Sequence, residues 1–343
     1  MGNSMKDLEV YKTVQRWLTK LEAKSRSLDF SKSSTQRAGL YWLKCYCEFL
    51  KTNPDSLMED RIRSLESTNQ VLRRKHEEYV EDFIIHLRNK KVKTRNGTYA
   101  PNTVATAIGM VRSFYKSNYV ELKEVTSIRP YPVRPYKVPT LKDVAKICKK
   151  AYPDIKAWIL CQFESGLANA DLLALKLNTE SSEFGTIRKQ LKKGTTPIHL
   201  EIRRQKTQER TDSFFGPNAI DALNNFLDFN RRGVLFGKGM SERTIQKRVI
   251  AIAIKTHVAT KKVPITPYCL RRSFNTLMKL GRPDLNIPGM NEALVERMMG
   301  HSIGRVRSAY LVTGGGDGIS GVPISKLAEI YMQHYPAIDI RKA

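Results

Sequence analysis

The sequence predicts a mainly α-helical, two-domain protein with one small antiparallel β-hairpin, and three observations carry that expectation. Apolar residues recur at helical spacing through most of the chain. One stretch, Pro197-Ile-His-Leu-Glu-Ile-Arg, alternates instead, and residues 211–215 return as its partner after a turn around Thr207-Gln-Glu. Four prolines crowd into Arg129-Pro-Tyr-Pro-Val-Arg-Pro-Tyr-Lys-Val-Pro, which must be extended and reads as a linker. At 343 residues, each of two domains has room for its own core.

Residues 1–33 are charged and weakly periodic, a lead-in with a short helix. From residue 34 the signals strengthen: Ser33, Ser34 or Thr35 can cap, and Ala38, Tyr41, Trp42, Cys45 and Phe49 follow at helical spacing. Asn53-Pro54-Asp55 is expected to break that helix. A second helix, about 68–89, should bury Val71, Leu72, Tyr79, Val80, Phe83, Ile84 and Leu87. A basic turn follows, and Pro101 opens a third helix carrying Val104, Ile108, Val111 and Phe114. These elements define a helical domain at 34–121, with the linker at 122–138.

The second domain, 139–312, begins where Thr140 and Asp143 are spaced as a capping box. Helices are expected through Trp158 and Phe163 to Ser165-Gly166, then a short helix from Gly166 to Leu175, then the hairpin. Further helices are expected at about 217–229, 242–257, 267–280, 290–300 and 305–312. Residues 313–343 read as a glycine-rich spacer and a last helix, about 323–335, with Leu327, Ile330 and Tyr331 on one face.

The net charge is +26. Through residue 130 there are 24 basic residues against 15 acidic, and after it 35 against 18, so both halves are basic. That distribution points to a polyanion touched by both domains, nucleic acid ahead of an acidic membrane surface. No run approaches a membrane span, and the N-terminus shows no signal-peptide pattern, so an intracellular, cytoplasmic protein is expected. The five cysteines fall in apolar helical patterns and read as reduced core residues. No metal set or phosphate-binding glycine loop stands out, and no cofactor is expected.

The chemistry concentrates late in the chain. Tyr268-Cys-Leu-Arg271-Arg272-Ser-Phe opens one helix; Met299-Gly300-His301-Ser302 ends another; Tyr310 follows nine residues after the histidine. Arginine can fork onto two phosphate oxygens, histidine can hold or relay a proton, and tyrosine can attack phosphorus. The set resembles the catalytic domain of the tyrosine recombinases, or phage-type integrases: the Leu-Arg-(basic)-x-Phe box, the Gly-His-Ser box and the tyrosine all sit at that family's spacings. The resemblance implies a two-domain DNA clamp in which the first domain is a core-binding domain and Tyr310 forms a 3′-phosphotyrosyl link. Arg271 would grip the scissile phosphate, and His301 would hydrogen-bond it or help deprotonate the tyrosine. Lys206, on the hairpin, would protonate the leaving 5′-oxygen, ahead of Arg203 and Arg204 and of a simply solvated hairpin tip. Double-stranded DNA is the implied partner, engaged by a homotetramer on paired sites that is a monomer or dimer in solution. The last helix would be swapped between subunits. Arg88, Lys90, Lys91, Lys93, Arg95, Arg129, Arg134, Arg203, Arg204 and Arg272 are the expected DNA-contacting residues.

Two positions depart from the family pattern. Tyr268 stands where a histidine or lysine is usual, and its hydroxyl can still donate to phosphate. In Gly166-Leu-Ala168-Asn-Ala-Asp171-Leu, the acid that orients the family's first catalytic arginine is present, but the arginine is Ala168. This implies a form that binds DNA and cleaves it poorly, through either a deliberate substitution or natural loss. Two other functions stay open: a non-catalytic DNA-binding relative, and a strand-relaxing enzyme of the type IB topoisomerase kind.

Overall fold

The computed structural model describes residues 5–25, 33–93, 97–129, 135–227, 233–237, 239–301 and 323–343. The chain divides into two compact units, Met1–Arg134 and Pro135–Ala343. Among the described residues, no helix is long and apolar enough to cross a membrane.

Among the described residues the regular elements of the first unit are helices: α1 (Lys12–Lys24), α2 (Ser34–Leu50), α3 (Pro54–Glu66), α4 (Gln70–Asn89) and α5 (Pro101–Ser117). Ser33 caps α2 by accepting from the Gln36 amide. Helix α2 ends at Leu50, ahead of Asn53-Pro54 as expected, and the same pair also opens a further helix, α3. The Asn53 side chain accepts from the Ser56 amide, and Pro54 occupies the first helical position, where its missing N–H costs nothing. The lead-in is also less peripheral than expected, because α1 buries Val14 and Trp17. The Trp17 indole donates to Ser113 at 3.0 Å and packs edge-on against Phe114.

Val80, Phe83, Ile84 and Leu87 of α4 join this core as expected, but Val71 and Leu72 are exposed. They occupy the first turn of α4, ahead of where the helix meets its neighbours; Arg61 and Glu77 instead form a buried two-bonded ion pair beneath that turn. All four apolar residues expected on α5 are buried.

The second unit begins with α6 (Leu141–Lys150), where the Thr140–Asp143 capping box forms in both directions. Helix α7 (Pro153–Ser165) runs through the core and stops at Gly166, whose φ of 63° is left-handed. The short α8 (Asn169–Ala174) follows. Next come a two-residue pair, β1 (Glu180–Ser181) with β2 (Gly185–Thr186), and α9 (Ile187–Lys192). The expected hairpin is β3 (Ile198–Arg203) against β4 (Arg210–Phe215), in register from Ile198 opposite Phe215 to Arg203 opposite Arg210. Helices α10 (Pro217–Asn224), α11 (Glu242–Lys255), α12 (Pro267–Leu280) and α13 (Glu292–Met298) complete the body.

The last helix, α14 (Ile324–His334), packs on its own chain. It buries Leu327 and Tyr331 in the second-unit core, and the Tyr331 hydroxyl donates to the Glu164 carbonyl. Tyr310, the spacer and the helix expected at 305–312 lie outside the described residues, as do Arg95 and Arg134.

Candidate active site

Four elements converge: the end of α7 with α8, the turn of the hairpin, α12 and the end of α13. Helix α12 starts at Pro267 and sends Leu270, Phe274 and Met278 into the core at i, i+4, i+8. That stripe carries the neighbouring Arg271 inward, where it is only 3% exposed. Its guanidinium donates to the Gly166 carbonyl, to the Met299 carbonyl at 2.8 Å, and to Nε2 of His301 at 2.7 Å. Burial, with Arg204 nearby as a second cation, pulls the Arg271 pKa down to about 10, so it stays charged at neutral pH.

His301 is placed by a Schellman motif at the end of α13. Its amide bonds back to the Glu296 carbonyl, and the Gly300 amide to the Arg297 carbonyl. Gly300 is needed twice there. Its φ is +66°, and a Cβ would sit 2.3 Å from Cδ of Arg204. A guanidinium can only donate, so Nε2 of His301 accepts, leaving Nδ1–H to face the Glu296 carboxylate. This Glu296 contact was not foreseen from sequence; the only signal is an acid five residues before the histidine. Glu296 also accepts from Asn275 at 3.0 Å and Lys279 at 2.5 Å.

Burial opposes ionisation of Glu296, but Lys279 and His301 outweigh it and hold its pKa down at about 2. A depressed carboxylate pKa stabilises the fold above pH ~4.5 and ceases to do so as pH falls through about 2. Glu296→Gln is therefore expected to cost on the order of 2 kcal/mol at pH 7, discounted for partly exposed partners, with the deficit shrinking by pH 3. Urea denaturation at both pH values checks this; an equal deficit at both would remove the ion pair as the cause.

The hairpin delivers the largest departure from expectation. Arg204, expected among solvated DNA-facing residues, turns inward and is 11% exposed. Nε donates to Asp171 at 3.1 Å and Nη1 to the Gly300 carbonyl at 2.5 Å. The other Asp171 oxygen accepts the Gln205 amide at 2.8 Å, so one carboxylate clamps both the side chain and the backbone of the turn. The reason is charge: a buried carboxylate three residues after Ala168 needs a cation, and position 168 supplies none.

Lys206 is exposed at the turn. Tyr268 is 56% exposed at the start of α12, and the Arg272 guanidinium lies over its ring and that of Tyr136, at 4.9 and 4.1 Å. Arg203 is exposed, as are Arg88, Lys90, Lys91, Lys93 and Arg129 in the first unit. The structure thus brings together Arg271, His301, Asp171 and Arg204, with Ala168 on the same turn as Asp171.

Gly166 carries a distinct load. It ends α7 with positive φ, offers its carbonyl to Arg271, and a Cβ there would lie 2.4 Å from the Phe274 ring. Gly166→Ala combines left-handed strain with overpacking, roughly 3 kcal/mol together. The expected drop in melting temperature of the second unit is roughly 6–12 °C; a melt within 2 °C of the unmodified chain would sink the packing argument.

A second polar cluster is structural. His199 lies between Ser181 (2.7 Å) and Asp212 (3.2 Å), and Asp212 also accepts from Arg297 at 2.6 Å. Ser181, His199 and Asp212 are all buried. The cluster pins the hairpin to α13, as does Thr211 donating to the Arg297 carbonyl at 2.6 Å.

A helical unit followed by a mixed unit of this order is the tyrosine recombinase/integrase fold. Among solved structures, XerH site-specific recombinase bound to difH substrate in a pre-cleavage complex matches with a TM-score of 0.51 and 14% identity, over 92% of this chain and 94% of that one. The XerH post-cleavage complex matches at 0.51 and 12%, over 88% and 91%. A lambda integrase tetramer bound to a Holliday junction matches at 0.51 and 10%, over 88% and 76%. No protein-family model and no curated protein sequence matches the chain.

Proposed function

We propose that this protein is a site-specific DNA recombinase or integrase that cuts and rejoins DNA through a 3′-phosphotyrosyl intermediate on Tyr310. The observation that carries the reading is the buried Arg271 bonded to an oriented His301, with a second guanidinium beside it. The half-buried Arg204 is paired with Asp171, while the buried Arg271 is bonded only to carbonyls and His301 among the described residues, which leaves a cationic recess suited to a phosphodiester.

Chemistry follows from the hydrogen-bond directions. The Tyr310 oxygen attacks phosphorus, forming the Tyr–O–P bond as the P–O5′ bond breaks. The phenol proton passes to Nε2 of His301, the nitrogen that the Glu296 contact leaves as an acceptor. Lys206 gives a proton to the leaving 5′-oxygen. Arg271 holds a non-bridging oxygen, which replaces His301 at its Nη2. Rejoining reverses each transfer. Double-stranded DNA is the substrate, and exposed Arg203 and the Arg88–Lys93 turn are backbone contacts. A homotetramer on paired sites would exchange the strands.

Ala168 favours a second reading, a DNA-binding protein without strand transfer. The test is covalent capture. A duplex that the chain selects from a random-sequence pool is nicked at successive positions, so that cleavage releases a short fragment and traps the adduct. The recombinase reading expects a denaturant-stable protein–DNA adduct whose modified peptide contains Tyr310. No adduct at any nick position, from this chain or from Ala168→Arg, would leave the binding protein as the function.

A further inference from the structure

We propose that Arg204 is the guanidinium that completes the phosphate grip at this site, supplied from the hairpin in place of the side chain that Ala168 lacks. The inference rests on the phosphotyrosyl reading above. It makes the chain competent for cleavage despite Ala168.

Three observations carry it. First, Asp171, the acid that would orient an arginine at position 168, is already engaged with an arginine: its carboxylate accepts Nε of Arg204 at 3.1 Å. Second, Arg204 and Arg271 are anchored on consecutive carbonyls, Gly300 and Met299, so their guanidiniums lie at the same chain turn as His301. Their proximity is also felt electrostatically, since burial and then the charge of Arg204 lower the Arg271 pKa. Third, Nη2 of Arg204 takes no protein acceptor among the described residues, while Nε and Nη1 are both fixed. A guanidinium held by two of its nitrogens presents the third in a set direction, which is how a fork is prepared for an anion.

Two like charges inside a protein are unfavourable unless anions balance them; Asp171 pairs with Arg204, while Arg271 has no carboxylate within bonding distance among the described residues. Tying the hairpin to α13 does not need Arg204, since Thr211 and Asp212 already tie these elements; pairing with Asp171 sets its position, and the open Nη2 is what it offers a phosphate. Gly300 clears the path, because any side chain there would overlap the stem of Arg204. Lys206, farther along the turn, stays exposed and free to act at the leaving oxygen.

The experiment compares adduct formation on the captured suicide duplex by the full chain, Arg204→Ala, Arg204→Lys, Ala168→Arg, and Arg204→Ala with Ala168→Arg. Each is run on a normal scissile phosphate and on a neutral methylphosphonate, with thermal melts as a folding control. The unmodified chain is expected to form adduct, and Arg204→Ala to form it about 10²–10³ times more slowly, the loss typical of one oxyanion donor. Arg204→Lys, which keeps charge and stem but not the fork, should lose about tenfold or more. Ala168→Arg in the Arg204→Ala background should regain at least about tenfold, because Asp171 is then free to orient the new arginine. On the methylphosphonate the gap between the unmodified chain and Arg204→Ala or Arg204→Lys should close to about threefold, since the charge that Arg204 neutralises is gone.

Arg204→Ala cleaving at the unmodified rate, or a gap equally wide on both phosphates, overturns the inference and assigns Arg204 to structure. Adduct from Ala168→Arg but none from the unmodified chain also overturns it, and leaves the phosphotyrosyl reading standing. No adduct from any form removes both.

Discussion

Tyr310→Phe is expected to abolish covalent capture while leaving DNA affinity within about twofold of the unmodified chain. A phenol with an ordinary pKa near ~10 is almost wholly protonated at neutral pH, and a phenyl ring has no oxygen to attack at all. No other residue substitutes for it in the proposed chemistry: Tyr268, the alternative hydroxyl among the described site residues, stands at the start of α12 with its ring under Arg272. Affinity should survive, because most of it comes from backbone contacts by the basic residues of both halves and is set by salt. Two readouts separate the effects: gel shift across a salt series for binding, and denaturing gels of the nicked duplex for cleavage. A variant that still forms adduct would strip Tyr310 of its role and move attention to Tyr268. A variant that loses binding and cleavage together would instead make the ring structural.

Much of this arrangement was legible from local sequence. The capping box at Thr140, the alternation from residue 197 and the Pro267 start of α12 each act within a few residues, so their spacing alone determines the outcome. The same holds for Gly300, which both stops α13 and aims His301. What local sequence leaves open is a signal with two meanings. Asn53-Pro54 follows the end of α2 and also starts α3, and its spacing announces the break without the helix that follows. Val71 and Leu72 fit the helical period but fall on a turn with nothing over it. Residues 180–192 form a two-residue strand pair and a six-residue helix, both too short to show a period.

Arg204 is the instructive case. Among Arg203, Arg204 and Lys206 nothing local distinguishes the inward side chain, since all are long, basic and near a turn. What selects it is remote: Asp171, 33 residues upstream, and the bare carbonyl at Gly300, 96 residues downstream. A sequence in which an orienting acid has lost its expected arginine is therefore a reason to look for another cation delivered from elsewhere.

The largest combined effect on activity and stability is expected at Arg271. Arg271→Ala removes donors from two carbonyls, Gly166 and Met299, and the partner of His301 Nε2. Leaving buried acceptors unsatisfied costs about 1–3 kcal/mol each. Part of this is offset, because Arg204 no longer faces a second buried cation, so a net loss of about 3 kcal/mol is expected. Cleavage should fall about 10²–10³-fold, as for loss of a donor aimed at the charge that builds up on phosphorus. Arg271→Lys sharpens the distinction. It retains a cation, so DNA affinity should hold, but one ammonium cannot span the Gly166 and Met299 carbonyls and also meet phosphate. Single-turnover cleavage with saturating protein isolates the chemical step, and urea denaturation measures stability on the same preparations. Arg271→Ala cleaving within about threefold of the unmodified chain would mean the guanidinium only staples α12 to α13, and phosphate is held elsewhere. Loss of rate in Arg271→Lys with binding and stability intact would place the fork itself in the transition state.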